Sequence, residues 1–139
     1  MEYLIGLILG LAVAGFAALV GFDRERSFYP TVLIVIASYY VLFAVMGASG
    51  RTLGIEIGVA TVFSLAAVLG SKGNPWLVAV AIAAHGVFDW LRPGFIQNPG
   101  VPLWWPGFCM AFDVIVGVWL AVRLMWPSSD SHNPRARAG

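Results

Sequence analysis

Four ionisable side chains interrupt otherwise apolar stretches of the sequence: Glu56, His85, Asp89 and Asp113. A charge at the centre of a bilayer costs ~2.5–3.5 kcal/mol on insertion scales, so an intramembrane ionisable residue is treated as functional by default. Imidazole and carboxylate groups ligate divalent metal ions, relay protons, and act as general acids and bases. These four residues therefore predict a ligand or proton site, and all four are candidate ligands of a divalent metal ion.

Spacing along the chain favours a shared site. His85 and Asp89 are i and i+4 and so occupy one helix face, and Cys109 and Asp113 share another face in the same way. Successive spans alternate in direction, which puts Glu56 and the other ionisable residues in the same half of the bilayer, at depths of roughly 5–14 Å. We expect a polar pocket there, walled by the third, fourth and fifth apolar stretches.

Three further side chains are secondary candidates for this pocket. Asn98 belongs to a proline-rich loop, residues 93–106, that would lie over it, and Tyr39 contributes a hydroxyl from the second stretch. Cys109 is the third, although a lone cysteine in an apolar stretch is more typical of a small buried residue.

The structural alternative is that the polar residues tie helices together. Asp89 would then pair with Arg92, three residues further on, and Asp113 would accept hydrogen bonds from His85 and a tryptophan. The sequence leaves both interpretations open.

Five apolar stretches position these residues, at about 3–22, 30–48, 53–70, 76–92 and 104–126. A helix rises 1.5 Å per residue, so ~20 residues cross the hydrocarbon core. The backbone must satisfy its own hydrogen bonds in lipid, which requires helices. We predict an all-α polytopic membrane protein, with five transmembrane helices in one bundle over residues 1–126 and a disordered cytoplasmic tail over 127–139.

Composition excludes an ordinary soluble domain and several kinds of site. Hydrophobic residues make up 60% of the 139 and charged residues 11%, against about 25% in soluble domains. The formal net charge of +1 gives no electrostatic basis for nucleic-acid binding, so the lipid bilayer is the expected partner. No apolar stretch contains a lysine for retinal, and His85 is the one histidine within them, which excludes bis-histidine haem ligation inside the chain. No P-loop pattern indicates a nucleotide.

Small residues at four-residue spacing predict close helix packing, either within the chain or in a homo-oligomer. They are Gly6, Gly10, Ala14 and Ala18 in the first stretch, and Gly54 and Gly58 in the third.

The distribution of Lys and Arg predicts the orientation. The odd-numbered loops and the tail carry six of the eight, and the opposite side carries two. Because cytoplasmic segments are enriched in positive residues, we expect the N-terminus outside and the C-terminus in the cytoplasm.

Two segments resemble a family of small, uncharacterised bacterial integral membrane proteins. They are DRERSFYPTVLIVIASYYVLFAVMG (Asp23–Gly47) and HGVFDW followed by NPGVPLWWPGFCMAFD (His85–Asp113). The resemblance implies a location in the bacterial inner membrane and carries no activity, cofactor or residue role.

Three functional hypotheses follow from the residues. The first is binding or permeation of a small cation or proton-linked solute through the polar pocket. The second is a membrane-embedded enzyme that acts on a lipid-like substrate, with the proline-rich loop as a gate. The third is an accessory or assembly subunit of a membrane complex, held by its small-residue stripes.

Overall fold

The structure, a computed structural model, describes residues 1–126, and the tail predicted at 127–139 lies outside the described residues. Within that range five α-helices follow one another, which confirms the all-α prediction. They are α1 Glu2–Val20, α2 Phe28–Gly47, α3 Gly50–Lys72, α4 Pro75–Leu91 and α5 Trp105–Met125. Short 3₁₀ turns occupy Phe22–Arg24 and Arg92–Gly94.

Four of the helices, α1, α2, α3 and α5, are long and apolar enough to cross a membrane. The remaining helix, α4, has 17 residues and contains His85 and Asp89. The prediction of a membrane protein is therefore supported at the level of four candidate spans, and the fifth span stays a prediction.

Local sequence explains where the helices begin and end. Gly21 ends α1 in a left-handed conformation, φ 83°, which glycine adopts without steric cost. Ser49 caps α3 by accepting a hydrogen bond from the Thr52 backbone N–H at 3.2 Å. Asn74 caps α4 in the same manner, and Pro75 occupies the first turn, where its missing N–H costs nothing.

The helices form an arc in the order α1, α5, α4, α3, α2. Glu56 near the start of α3 meets Arg92 just beyond the end of α4, so these two helices are antiparallel. Gly86 of α4 approaches Met110 of α5, whereas Gly117 of α5 approaches Ala79 of α4, so α4 and α5 are antiparallel as well. The starts of α3 and α5 and the end of α4 therefore lie at one end of the bundle, which we call the polar end.

Glycines allow close approach of α1 to α5, in parallel orientation. A Cβ on Gly6 would collide with the Phe108 carbonyl oxygen, and one on Gly10 would lie 3.1 Å from the Phe112 carbonyl oxygen. The buried stripe continues through Ala14 and ends at Ala17, not Ala18, because 3.6 residues make one turn.

Gly54 and Gly58 have a different environment from the glycines of α1. A Cβ built on either would meet no atom within 4 Å among the described residues. They do not mediate close packing within the described part of the chain, and a homo-oligomer through them stays a prediction.

The apolar core fills the bundle on the other side of the polar residues. Leu33, Ile82 and Val116 have no exposed surface and pack with Ala67 and Val78. Many large apolar side chains face outward, as expected where lipid is the surrounding solvent. The bundle is thus polar inside at one end and apolar through its centre.

Candidate functional site

Three ionisable side chains meet inside the polar end: His85 and Asp89 from α4 and Asp113 from α5. The His85 Nδ1 atom lies 2.8 Å from Asp113 Oδ2 and 3.4 Å from Asp89 Oδ2. Each of the three residues is at most 1% exposed. One potential metal-ligating atom from each lies within 4.8 Å of those of the other two. We call these residues the His–Asp–Asp cluster.

The cluster depends on a close crossing of α4 and α5. His85 and Asp89 share a helix face because they are one turn apart. Gly86 lies where α5 approaches most closely, and a Cβ there would stand 2.8 Å from the Cβ of Asp113. The absent side chain therefore lets Asp113 reach His85.

A second polar group surrounds Arg92. Its guanidinium forms a buried ion pair with Glu56 of α3, and both side chains are at most 3% exposed. The guanidinium carbon also lies 3.6 Å from the centroid of the Tyr40 ring, a cation–π contact. The Tyr40 ring is in turn 6.4 Å from the His85 ring, so Tyr40 lies between Arg92 and the His–Asp–Asp cluster.

The loop between α4 and α5 is fastened to this second group. The Asn98 amide nitrogen donates to Glu56 Oε1 at 2.9 Å and to the Tyr40 carbonyl oxygen at 3.2 Å. The Thr52 hydroxyl donates to the carbonyl oxygen of Gln97 at 3.2 Å. The loop therefore covers the polar end and is bonded to both α2 and α3.

Charge is distributed unevenly between the two groups. Arg92 compensates Glu56, which leaves Asp89 and Asp113 with His85 as their only ion-pairing partner among the described residues. Both oxygens of Asp89 and the Oδ1 atom of Asp113 are buried without a hydrogen bond, and so is the neighbouring Tyr40 hydroxyl. Buried carboxylate oxygens without donors favour a cation or a proton between them.

The structure brings together most of the residues predicted for the pocket, in two groups instead of one. Glu56 is absent from the His–Asp–Asp cluster because Arg92 and Asn98 bind its carboxylate. Asn98 thus belongs to the second group. The hypothesis that Asp89 pairs with Arg92 is wrong, because the guanidinium reaches α3 instead.

The remaining predicted residues have different positions. Asp113 does pair with His85, Oδ2 to Nδ1 at 2.8 Å, but no tryptophan N–H joins them within the described residues. Tyr39 is 38% exposed and packs on Trp105, whereas the adjacent Tyr40 ring contacts the His85 ring, so Tyr40 is the tyrosine at the site. Cys109 is 4% exposed, which agrees with a small buried residue.

The opposite end of the bundle contains an ion pair that sequence reasoning missed. Asp23 follows α1 and lies 2.7 Å from Arg123 of α5, with the aspartate side chain 1% exposed. Arg123 is the feature of the sequence that could have predicted this pair, because it lies near the end of α5, at the same end of the bundle as Asp23.

Comparison with known proteins gives no assignment for this arrangement. No family model, no curated protein and no solved structure matches the chain.

Proposed function

We propose that this protein is an integral membrane protein that binds a divalent cation through His85, Asp89 and Asp113. The observation that carries the proposal is the convergence of one imidazole and two carboxylates, fully buried, with their ligand atoms within 4.8 Å of one another. Two carboxylates and a neutral imidazole carry a net charge of −2, which a divalent cation neutralises. Neutrality matters here because a net charge buried in a membrane is costly.

The distances within the cluster suit a small cation such as Zn²⁺. Tetrahedral ligands at about 2.1 Å from zinc are separated from each other by roughly 3.4 Å. The separation of His85 Nδ1 and Asp89 Oδ2 is 3.4 Å, and the 2.8 Å between His85 and Asp113 needs a small increase. Three protein ligands leave one coordination position open, as in catalytic zinc sites, where a water molecule or a substrate occupies it.

Binding is better supported than permeation. Between the cluster and the opposite end, the bundle interior is filled by Leu33, Ile82 and Val116, none of which has exposed surface. A conducting pathway needs polar groups or water along its length. The buried polar side chains of the described interior instead gather at the two ends.

The proposal includes five membrane spans. Because α3 and α5 are parallel and each is long enough to span, the chain between them must return across the membrane, and α4 is the segment available. At 1.5 Å per residue its 17 residues cover about 26 Å, close to the ~30 Å hydrocarbon thickness. The orientation with the N-terminus outside and a bacterial inner-membrane location belong to the same proposal.

A proton site is the second candidate, favoured by the 2.8 Å contact of His85 with Asp113. A proton shared between these groups would reduce the charge without a metal. The two candidates differ in composition: the first predicts one tightly bound metal ion per chain, and the second predicts proton uptake without metal.

The decisive experiment measures metal content by elemental analysis after the purified protein, in lipid nanodiscs, is equilibrated with Zn²⁺ or Mn²⁺ and dialysed. We expect about one ion per chain in the wild type. Asp113→Asn and His85→Ala should each lose most of it, because even the loss of a group that only orients a metal ligand weakens a site by about 10–100-fold.

Asp23→Asn is the matched control, since it neutralises another buried aspartate at the far end of the bundle. It should retain the wild-type metal content. A wild type without metal, or an Asp113→Asn variant that binds as well as the Asp23→Asn control, would overturn the metal proposal in favour of the proton site.

A further inference from the structure

A long groove opens to the membrane between α1 and α2, with α5 as its floor. It has a volume of about 1040 Å³, at the upper end of typical ligand sites. α1 packs mainly on α5 and α2 mainly on α3, so the two helices on either side of the groove diverge although they are consecutive in the chain. Its lining on α1 runs from Met1 to Val13, which spans about 18 Å along the helix.

The floor of the groove is the outer wall of the His–Asp–Asp cluster. Cys109 and Asp113 both contribute to it, one turn apart on α5. Their side chains are 4% and 0% exposed, so an occupant would pack directly over the wall that contains Asp113. By helix rise, Asp113 lies about 12 Å from Trp105, well below the level of the lipid headgroups.

The polarity of the groove fits an amphiphile with a hydrocarbon chain. Its middle is apolar, with residues such as Leu9, Ile36 and Phe112, while polar side chains lie towards its ends, at Glu2 on one side and Glu25 on the other. A lipid headgroup suits one of these polar ends, and the hydrocarbon chain suits the apolar middle.

The side chains along the groove argue against a further helix as the occupant. Membrane helices pack closely through Gly, Ala and other small residues. None of the residues that line the groove within residues 1–126 is glycine or alanine, and the small hydroxyl residues among them, Ser27 and Thr31, both lie near the Glu25 end. The small residues of α1, among them Gly6, Gly10 and Ala14, are already buried against α5. A flexible chain fits an uneven wall of large side chains better than a second backbone does.

We infer that the groove between α1 and α2 binds one hydrocarbon chain of a membrane lipid and holds it alongside the His–Asp–Asp cluster. The metal centre is then the neighbour of the hydrocarbon chain at the depth of Asp113, a point that rests on the proposed function. The class of ligand is a long-chain lipid, acyl or isoprenoid, which enters sideways from the bilayer.

The test uses a stearic acid with a nitroxide at mid-chain, added to the full-length protein in nanodiscs. Electron paramagnetic resonance separates motionally restricted label from mobile bulk label, and the restricted fraction that is lost in Leu9→Trp but kept in Leu11→Trp reports the groove. Leu9→Trp fills the groove, whereas Leu11→Trp adds the same bulk on the lipid-facing side of the same helix. The two residues are a matched pair, at 44% and 46% exposed.

We expect a restricted component in the wild type and in Leu11→Trp. Leu9→Trp should bind the label about tenfold more weakly, because overpacking a filled site has a cost of that order. No restricted component in the wild type, or equal losses in the two variants, would overturn the inference.

Mn²⁺ in the metal centre provides the link between the two sites. The ion should increase the relaxation rate of the restricted label in the wild type but not in Asp113→Asn. Metal content measured on the same samples tests the metal proposal independently of the lipid position. A normal metal content without relaxation enhancement overturns only the position assigned to the lipid chain. If the protein contains no metal but Leu9→Trp still removes the restricted component, only the metal centre is overturned and the lipid site stands.

Discussion

Arg92 compensates the buried carboxylate of Glu56 at the polar end. Replacing it with Gln leaves that carboxylate without a cation in a region that water does not reach. Breaking a buried ion pair by removing one partner costs about 3–5 kcal/mol. We expect Arg92→Gln to lower the unfolding free energy by about this amount, measured by denaturation in mixed micelles.

A double-mutant cycle identifies the partner. Glu56→Gln combined with Arg92→Gln removes both charges, so the double variant should be more stable than Arg92→Gln alone. If Asp89 were the true partner of Arg92, Glu56→Gln would give no such recovery. The ion pair assigned from the structure would then be incorrect.

At this scale the sequence predicted the members of the site better than their pairing. The spacing of His85 and Asp89 correctly put them on one helix face, and alternation of the spans put Asp113 at a compatible depth. Spacing does not determine which of two carboxylates at similar depth a long arginine side chain reaches. That choice depends on the position of α3 and on Asn98, which binds Glu56. Asn98 lies in a loop, where no helical periodicity predicts the direction of a side chain.

At the scale of helices, Gly86 determines how closely α4 and α5 cross. A Cβ at this position would lie 3.1 Å from the carbonyl oxygen of Met110 and 3.3 Å from that of Cys109, in addition to its collision with Asp113. An alanine must push the helices apart, and overpacking of this kind costs about 1–3 kcal/mol. We expect Gly86→Ala to destabilise the protein in thermal unfolding and to weaken metal binding.

Gly58→Ala is the control, because a Cβ there meets no described atom within 4 Å. Alanine favours a helix over glycine by up to about 1 kcal/mol, so this variant should unfold at the same temperature as the wild type or slightly higher. Equal destabilisation by the two substitutions would show that the α4–α5 crossing tolerates a methyl group. A loss confined to Gly58→Ala would instead point to an interface between copies.

The helices themselves could be predicted from sequence to within three residues at either end. Lipid leaves the backbone no alternative to the helix, and the connectors contain caps such as Ser49 and Asn74. Packing partners could not be predicted in the same way. The four-residue spacing of small residues occurs in both α1 and α3, yet it meets a helix in one and open space in the other.

At the scale of the whole molecule, the proposed five spans would place the two ends of α4 on opposite sides of the membrane. Single cysteines replacing Lys72 and Gln97, both exposed, test this in a Cys109→Ala background. A membrane-impermeant maleimide should label the cysteine at position 97 from outside. The cysteine at position 72 should react only in inverted vesicles.

Labelling of both positions from the same side would mean that α4 does not cross, and the four-span alternative would hold. Labelling from opposite sides with the assignments exchanged would preserve the fold and reverse the orientation. The charge asymmetry on which the orientation depends includes arginines at positions 135 and 137, beyond the described residues.

The concentration of buried charge on α4 has a consequence for biogenesis. While α4 leaves the ribosome, the aspartate that will pair with His85 has not yet emerged, since it lies on α5. A short helix with two ionisable groups is a poor candidate for stable insertion by itself. We therefore expect α4 and α5 to enter the bilayer as a hairpin, and nascent chains truncated before α5 to be substrates for quality-control proteolysis.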